Sequence, residues 1–150
     1  MNVILKRKTS DDLDFQNLVV LLDQDLKIRD GKDHSFYAQF NTIDKIRNVV
    51  IYYLENNPVG CGAFKEFDEN TVEIKRMFVL PDFRGQGIAF AILKELEYWA
   101  AEIKYSISVL ETGKKQPEAI GLYQRAGYVK IPNYGQYENI ESSVCMKKRI

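Results

Sequence analysis

Two hydrophobic periods alternate along the chain, and the order in which they follow one another predicts the fold. Apolar positions recur every second residue, or run continuously, over residues 3–7, 48–55, 59–67, 71–80 and 105–110, with many β-branched and aromatic side chains, so these segments read as strands. The period lengthens after Thr9 or Ser10, either of which can cap a helix carrying Leu13, Leu18, Leu21, Leu22 and Leu26 on one side. A looser helical segment spans residues 34–46. Residues 87–102 place Ile88, Ile92, Leu96 and Trp99 on one face of an amphipathic helix. Pro117 sits near the first turn of a further helix that ends at Gly127, and residues 128–131 and 143–148 read as a last strand pair. Turns at Asn56-Asn57-Pro58 and Asp68-Glu69-Asn70 make the middle strands an antiparallel meander. The 105–110 strand follows a helix instead, which predicts a parallel crossover buried on both faces.

The junction between the 71–80 strand and the next helix carries the most chemistry. It reads Pro81-Asp82, then Arg84-Gly85-Gln86-Gly87-Ile88-Ala89. A glycine turn running straight into a helix start presents backbone N–H groups that have no intrahelical partner, and the helix dipole adds positive potential at the same place. Such a junction suits a pyrophosphate. Two better-known phosphate loops are excluded: a dinucleotide fingerprint needs glycine where Phe90 stands, and Gly113-Lys114-Lys115 lacks the Ser or Thr of a P-loop. On a regular strand Glu73, Lys75, Met77 and Val79 alternate onto one face.

Arg84, Gly87 and Ala89, with the lead-in Val79-Leu80-Pro81 and the downstream segment from Gln116 to Tyr128, closely resemble the acetyl-CoA signature of the GNAT family of N-acetyltransferases. The resemblance is specific over residues 59–128, with Gln116 standing where the family usually carries asparagine. It implies an α/β (α+β) fold of the acyl-CoA N-acyltransferase type, in the order β-α-α-β-β-β-α-β-α-β-β, with a mixed, mostly antiparallel sheet flanked by helices and splayed between strands four and five. It also implies acetyl-CoA as donor. The pantetheine arm then lies in the splay along Met77, Phe78 and Val79. The pyrophosphate lies on Gly85, Gln86, Gly87, Ile88, Ala89 and Phe90, beside Arg84 and Gln116. By the same resemblance Tyr123 is the general acid, the Val79 N–H an oxyanion donor, and Glu73 or Glu111 the base. Arg29, His34, Tyr37, Tyr134 and Tyr137 are candidates to wall the acceptor site.

Composition narrows this picture little but excludes some classes. The 150 residues are 45% hydrophobic, enough for one core, and suggest a single N-acetyltransferase domain over 1–150. Lys and Arg balance Asp and Glu at 21 each, which leaves no field to steer the chain to nucleic acid or an anionic membrane. The N-terminal apolar run is too short for a signal peptide, and no stretch reaches the roughly 18 apolar residues of a span, so a cytoplasmic location is expected. Cys61 and Cys145 lack metal-ligand spacing and read as packed thiols, and no metal is expected. The expected partner is a small-molecule or peptide amine, handled by a monomer or homodimer. The alternative is a non-catalytic acyl-CoA-binding sensor.

Overall fold

The computed structural model describes residues 2–30 and 45–150. A seven-stranded sheet forms the middle layer, in the order β1 (Val3–Lys8), β2 (Asn48–Leu54), β3 (Asn57–Asp68), β4 (Thr71–Val79), β5 (Ile107–Gly113), β7 (Ser143–Arg149) and β6 (Val129–Ile131). Every neighbouring pair is antiparallel except β4 and β5. Helices α2 (Ile88–Glu102) and α3 (Pro117–Arg125) belong to one face and α1 (Leu13–Asp30) to the other. This is the mixed, mostly antiparallel architecture expected of the strand and helix order. The looser helix expected over 34–46 lies, but for its last two residues, outside the described residues.

Strict alternation along β2 divides the core into two. Val50 packs with Phe64, Ile92, Leu93 and Leu96 beneath α2, whereas Val49, Ile51 and Tyr53 face Phe15, Leu18, Val19 and Leu22 of α1. The α1 stripe differs from the expected one. Leu13 and Leu21 are exposed, and Phe15 takes the central buried place. Phe15, Leu18, Val19 and Leu22 follow the i, i+3, i+4, i+7 spacing of one helical face, which Leu13 and Leu21 do not share. The cap also moves: Asp12 Oδ1 accepts the Phe15 N–H at 3.0 Å, while Ser10 Oγ is buried, accepting the Ile46 N–H at 3.0 Å. The β2–β3 turn is tighter than its asparagines suggest, because Glu55 and Asn56 both adopt positive φ and close a two-residue hairpin.

The fifth strand begins at Ile107, not Tyr105. Tyr105 instead packs edge-on to Phe64 and donates its hydroxyl to Glu66 Oε1 at 2.6 Å. A buried polar network ties α2 to the far end of the sheet. Glu97 accepts the Tyr128 hydroxyl at 3.0 Å and pairs with Lys148 at 2.8 Å, and Tyr128 shares a hydrogen bond with Ser108 at 2.8 Å.

Both cysteines are buried free thiols. Burial pushes Cys61 up to about 12 and Cys145 up to about 11 from the ordinary 9.0. The fold therefore favours the neutral thiol: the stabilisation is complete below pH 9 and is lost as the unfolded chain ionises above it, each thiol costing on the order of 1 kcal/mol per pH unit. Denaturant midpoints should fall between pH 8.5 and 10.5, and Cys61→Ala should flatten that slope. A thiol reagent should label neither cysteine in the native protein and both after unfolding.

Candidate active site

The site begins where two parallel strands part. β4 and β5 pair only at Thr71 with Ile107, Val72 with Ser108 and Glu73 with Val109. Beyond Glu73, β5 continues along β7, and β4 bends away at a bulge where Arg76 and Met77 together oppose the single residue Gly62 of β3. Arg76 sits in the left-handed region at φ 59°. Gly62 is required opposite it, since a Cβ there would lie 2.5 Å from Met77 Sδ and 2.9 Å from Ile92 Cγ2.

The bulge overturns the expected alternation of Glu73, Lys75, Met77 and Val79. After it, Met77 and Val79 join the core beneath α2 with Val72 and Ile74, while Phe78 joins the α1 side. The Leu80 N–H donates to Val59 O at 2.9 Å, so the adjoining residue Val79 turns its own N–H and C=O away from β3 and toward the gap. A cavity of about 620 Å³ fills the divergence. It runs from Leu22 and Leu26 of α1, past Met77, Phe78 and Val79, to the start of α2 and to Leu122 and Tyr123 of α3.

At the helix start, Gly85 and Gly87 have φ of 79° and 82°, and a Cβ on either would meet no protein atom within 4 Å. Their backbone conformation, rather than crowding within the chain, demands glycine. Gly87 caps α2 without any side-chain hydrogen bond, which leaves first-turn amides uncapped where Ile88, Ala89 and Phe90 line the cavity. That fits an anionic group such as a pyrophosphate. Gln86, by contrast, is exposed and is not part of the cavity wall. Arg84 lines the wall but is tied back: its Nε donates to Val79 O at 2.8 Å, its guanidinium lies 5.6 Å from the Phe78 ring centroid, and Nη2 is 3.7 Å from Asp25 Oδ2. Gln116 lines the cavity at the start of α3 and makes no capping hydrogen bond with its side chain.

Glu73, Glu111, Tyr123 and Tyr137 meet around the same cavity. Glu73 pairs across to Val109, so Glu111, two residues on, shares its face on the neighbouring strand. The Glu73 carboxylate is buried between two donors. The Tyr134 hydroxyl donates to Oε2 at 2.7 Å, and Lys75 Nζ lies 3.6 Å from Oε1. Tyr134 therefore reaches the site through Glu73 and is not itself part of the cavity wall. Burial raises the Tyr123 phenol well above its ordinary value, and the Glu111 charge raises it further, so Tyr123 stays protonated at neutral pH. Burial likewise raises Tyr137, with Glu111 and Glu73 adding to it, and raises Tyr134, with Glu73 adding. The side chain of Arg29, together with His34 and Tyr37, lies outside the described residues.

Charged residues to which the sequence reading gave no role also line the cavity, among them Lys75 and Arg76 of β4, Asp25 of α1, and Glu118 and Arg125 of α3. For Lys75 and Arg76 the available signal was a pair of adjacent cations, two residues after Glu73, inside a mostly apolar strand.

Three comparisons place this geometry among known proteins. The profile of the Acetyltransferase (GNAT) family matches residues 16–128. An IAA acetyltransferase of Azospirillum brasilense is 37% identical over 91 residues, 60% of each chain. The human N-acetylaspartate synthetase is 40% identical over 76 residues, half of this chain and 25% of that one. The chain thus spans less than two thirds of the length of these relatives. A solved structure from Klebsiella pneumoniae assigned as an acyl-CoA N-acyltransferase superposes with a TM-score of 0.82 at 26% identity, covering 98% of this chain and 97% of that one.

The phosphate cradle predicts a pair of outcomes. Gly87→Asp should weaken acetyl-CoA binding at least a hundredfold by calorimetry, because it adds a negative charge at the uncapped helix start. Gly87→Ala isolates the backbone strain and should cost only about 1–2 kcal/mol of stability, with binding retained within tenfold.

Proposed function

The chain belongs to the acetyltransferase (GNAT) family, and on that premise we propose that it transfers the acetyl group of acetyl-CoA to a primary amine of a small molecule or peptide, by direct attack within a ternary complex. One observation carries the reading: a cavity opened by the short β4–β5 ladder has strand backbone on one side, an uncapped helix start at one end and a protonated, buried tyrosine beside them.

The donor supplies an activated thioester. In this reading the chain's own groups do the rest. Met77, Phe78 and Val79 hold the pantetheine arm as an added strand would be held, and the amides of residues 88–90 hold the pyrophosphate. Arg84 is bonded to Val79 O, which braces the end of β4 against α1. The outward Val79 N–H donates to the developing oxyanion. Tyr123, fixed edge-on to Tyr128 at 5.8 Å, donates its phenolic proton to the departing thiolate.

The acceptor needs a base because an amine with a pKa near 10.4 is neutral in only about one molecule per thousand at cellular pH. Glu73 takes that role. Its carboxylate is oriented by Tyr134 and is buried on the face that the acceptor enters. Glu111, on the same face of the neighbouring strand, raises the Tyr123 and Tyr137 phenols electrostatically.

Release of free CoA thiol from acetyl-CoA across a panel of amino acids, polyamines, aminoglycosides and short peptides tests the reading. Tight donor binding with no turnover for any acceptor would reduce the protein to an acyl-CoA sensor. Tyr123→Phe keeps the ring contact and should lower kcat by about a hundredfold to ten-thousandfold with acetyl-CoA affinity unchanged. Glu73→Gln should depress kcat/KM most at low pH and recover as rising pH supplies neutral amine. Glu111→Gln should show no such recovery, and the reverse pattern would transfer the role.

A further inference from the structure

One buried nucleophile on the cavity wall has no part in acetyl transfer to an external amine. Lys75 lies two residues after Glu73 on β4, and the ladder with β3 is regular between them, so both side chains leave the same face of the strand. The Lys75 side chain is 10% exposed, and its Nζ stands 3.6 Å from Glu73 Oε1. Both residues line the cavity, as do Met77, Phe78 and Val79 farther along the same strand.

A surface lysine is almost entirely ammonium at neutral pH and so holds no free lone pair. Lys75 lacks the hydration that keeps it so. Burial lowers its pKa, Glu73 and Glu111 raise it in part, and Lys65 lowers it again. The separation from Glu73 also exceeds the roughly 2.8 Å of a well-formed charge-assisted hydrogen bond, so the amine is held beside the carboxylate without being locked to it. Any acceptor that gives its proton to Glu73 must come to the same carboxylate, where the chain already keeps a primary amine. The flexible four-carbon stem lets that amine swing along the wall toward the Met77 end without moving the strand.

We propose that Lys75 is an acetylation site of the chain itself, taking the acetyl group of acetyl-CoA bound in the same cavity when no external amine is present. This inference rests on the acetyl-transfer reading above, with Lys75 in the place of the acceptor. One ammonium proton passes to Glu73, and the freed Nζ lone pair attacks the thioester carbonyl. The amide C–N bond forms, the thioester C–S bond breaks, and the nitrogen loses a second proton. The departing thiolate takes a proton from Tyr123, which solvent restores, so the products are acetylated Lys75, free CoA thiol and one proton. The modification removes the Lys75 charge from beside Glu73.

Intact-mass spectrometry of the protein incubated with acetyl-CoA and no added amine tests this. One acetyl group should appear, mapped to Lys75 by peptide fragmentation, at a rate independent of protein concentration. The exposed Lys104 and Lys130 report the uncatalysed background, and Lys75 should exceed them at least tenfold. Glu73→Gln and Tyr123→Phe should each slow Lys75 at least tenfold and leave Lys104 and Lys130 unchanged, and excess free CoA should protect Lys75 alone. Lys75 unmodified, modified no faster than the two exposed lysines, or indifferent to both variants, while an added amine still drives thiol release, would overturn this inference and leave acetyl transfer standing. Bound acetyl-CoA with neither thiol release for any amine nor acetylated Lys75 would overturn acetyl transfer itself and this inference with it.

Discussion

The short ladder between β4 and β5 is the constraint on which the site depends. Three residue pairs hold the strands together, after which the bulge at Arg76 turns β4 aside and β5 follows β7. Backbone N–H and C=O groups inside a protein need partners, and a strand edge turned into a gap has no neighbouring strand to supply them. Val79 meets the need on one side by giving its carbonyl to Arg84, which leaves its N–H directed into the opening. A ligand with amide groups along an extended arm completes such an edge as a strand would. The uncapped start of α2 at the end of the same gap gives that ligand a charged terminus to match.

Two buried polar groupings show how structural and functional burial differ. Around Glu97 the network is closed: Tyr128, Lys148 and Lys94 all meet one carboxylate, and Tyr128 also pairs with Ser108. That arrangement joins α2 to β5 and β7. Around Glu73 the Tyr134 hydroxyl and Lys75 meet one carboxylate on the wall of the cavity. Buried charge is costly unless paired, and each of these two carboxylates is paired, one inside the core and one beside the cavity.

Much of this was legible in the sequence, and the rest was not for physical reasons. The α2 stripe and the glycine junction were readable because periodicity and positive-φ turns are local properties of the chain. The α1 face was misjudged because Leu13 and Leu21 form a competing stripe, and only packing against Val49 and Ile51 selects the one through Phe15. The bulge was invisible from β4 alone, since it depends on Gly62 across the ladder and on Ile92 above it. Tyr134, read as an acceptor contact, donates its hydroxyl to Glu73 from 61 residues away, a pairing no local pattern announces. Arg76 was passed over because its pairing with Asp23 of α1, 53 residues away, is likewise announced by no local pattern.

Amide hydrogen exchange with and without acetyl-CoA addresses the central claim most directly, because it reads the backbone groups of the splay rather than the side chains around it. The account predicts that the donor slows exchange at least tenfold at Val79 and over residues 88–90, while the closed β5–β7 ladder at Leu110 and Met146 is unchanged. Binding that leaves Val79 and residues 88–90 exchanging at their free rates would contradict it.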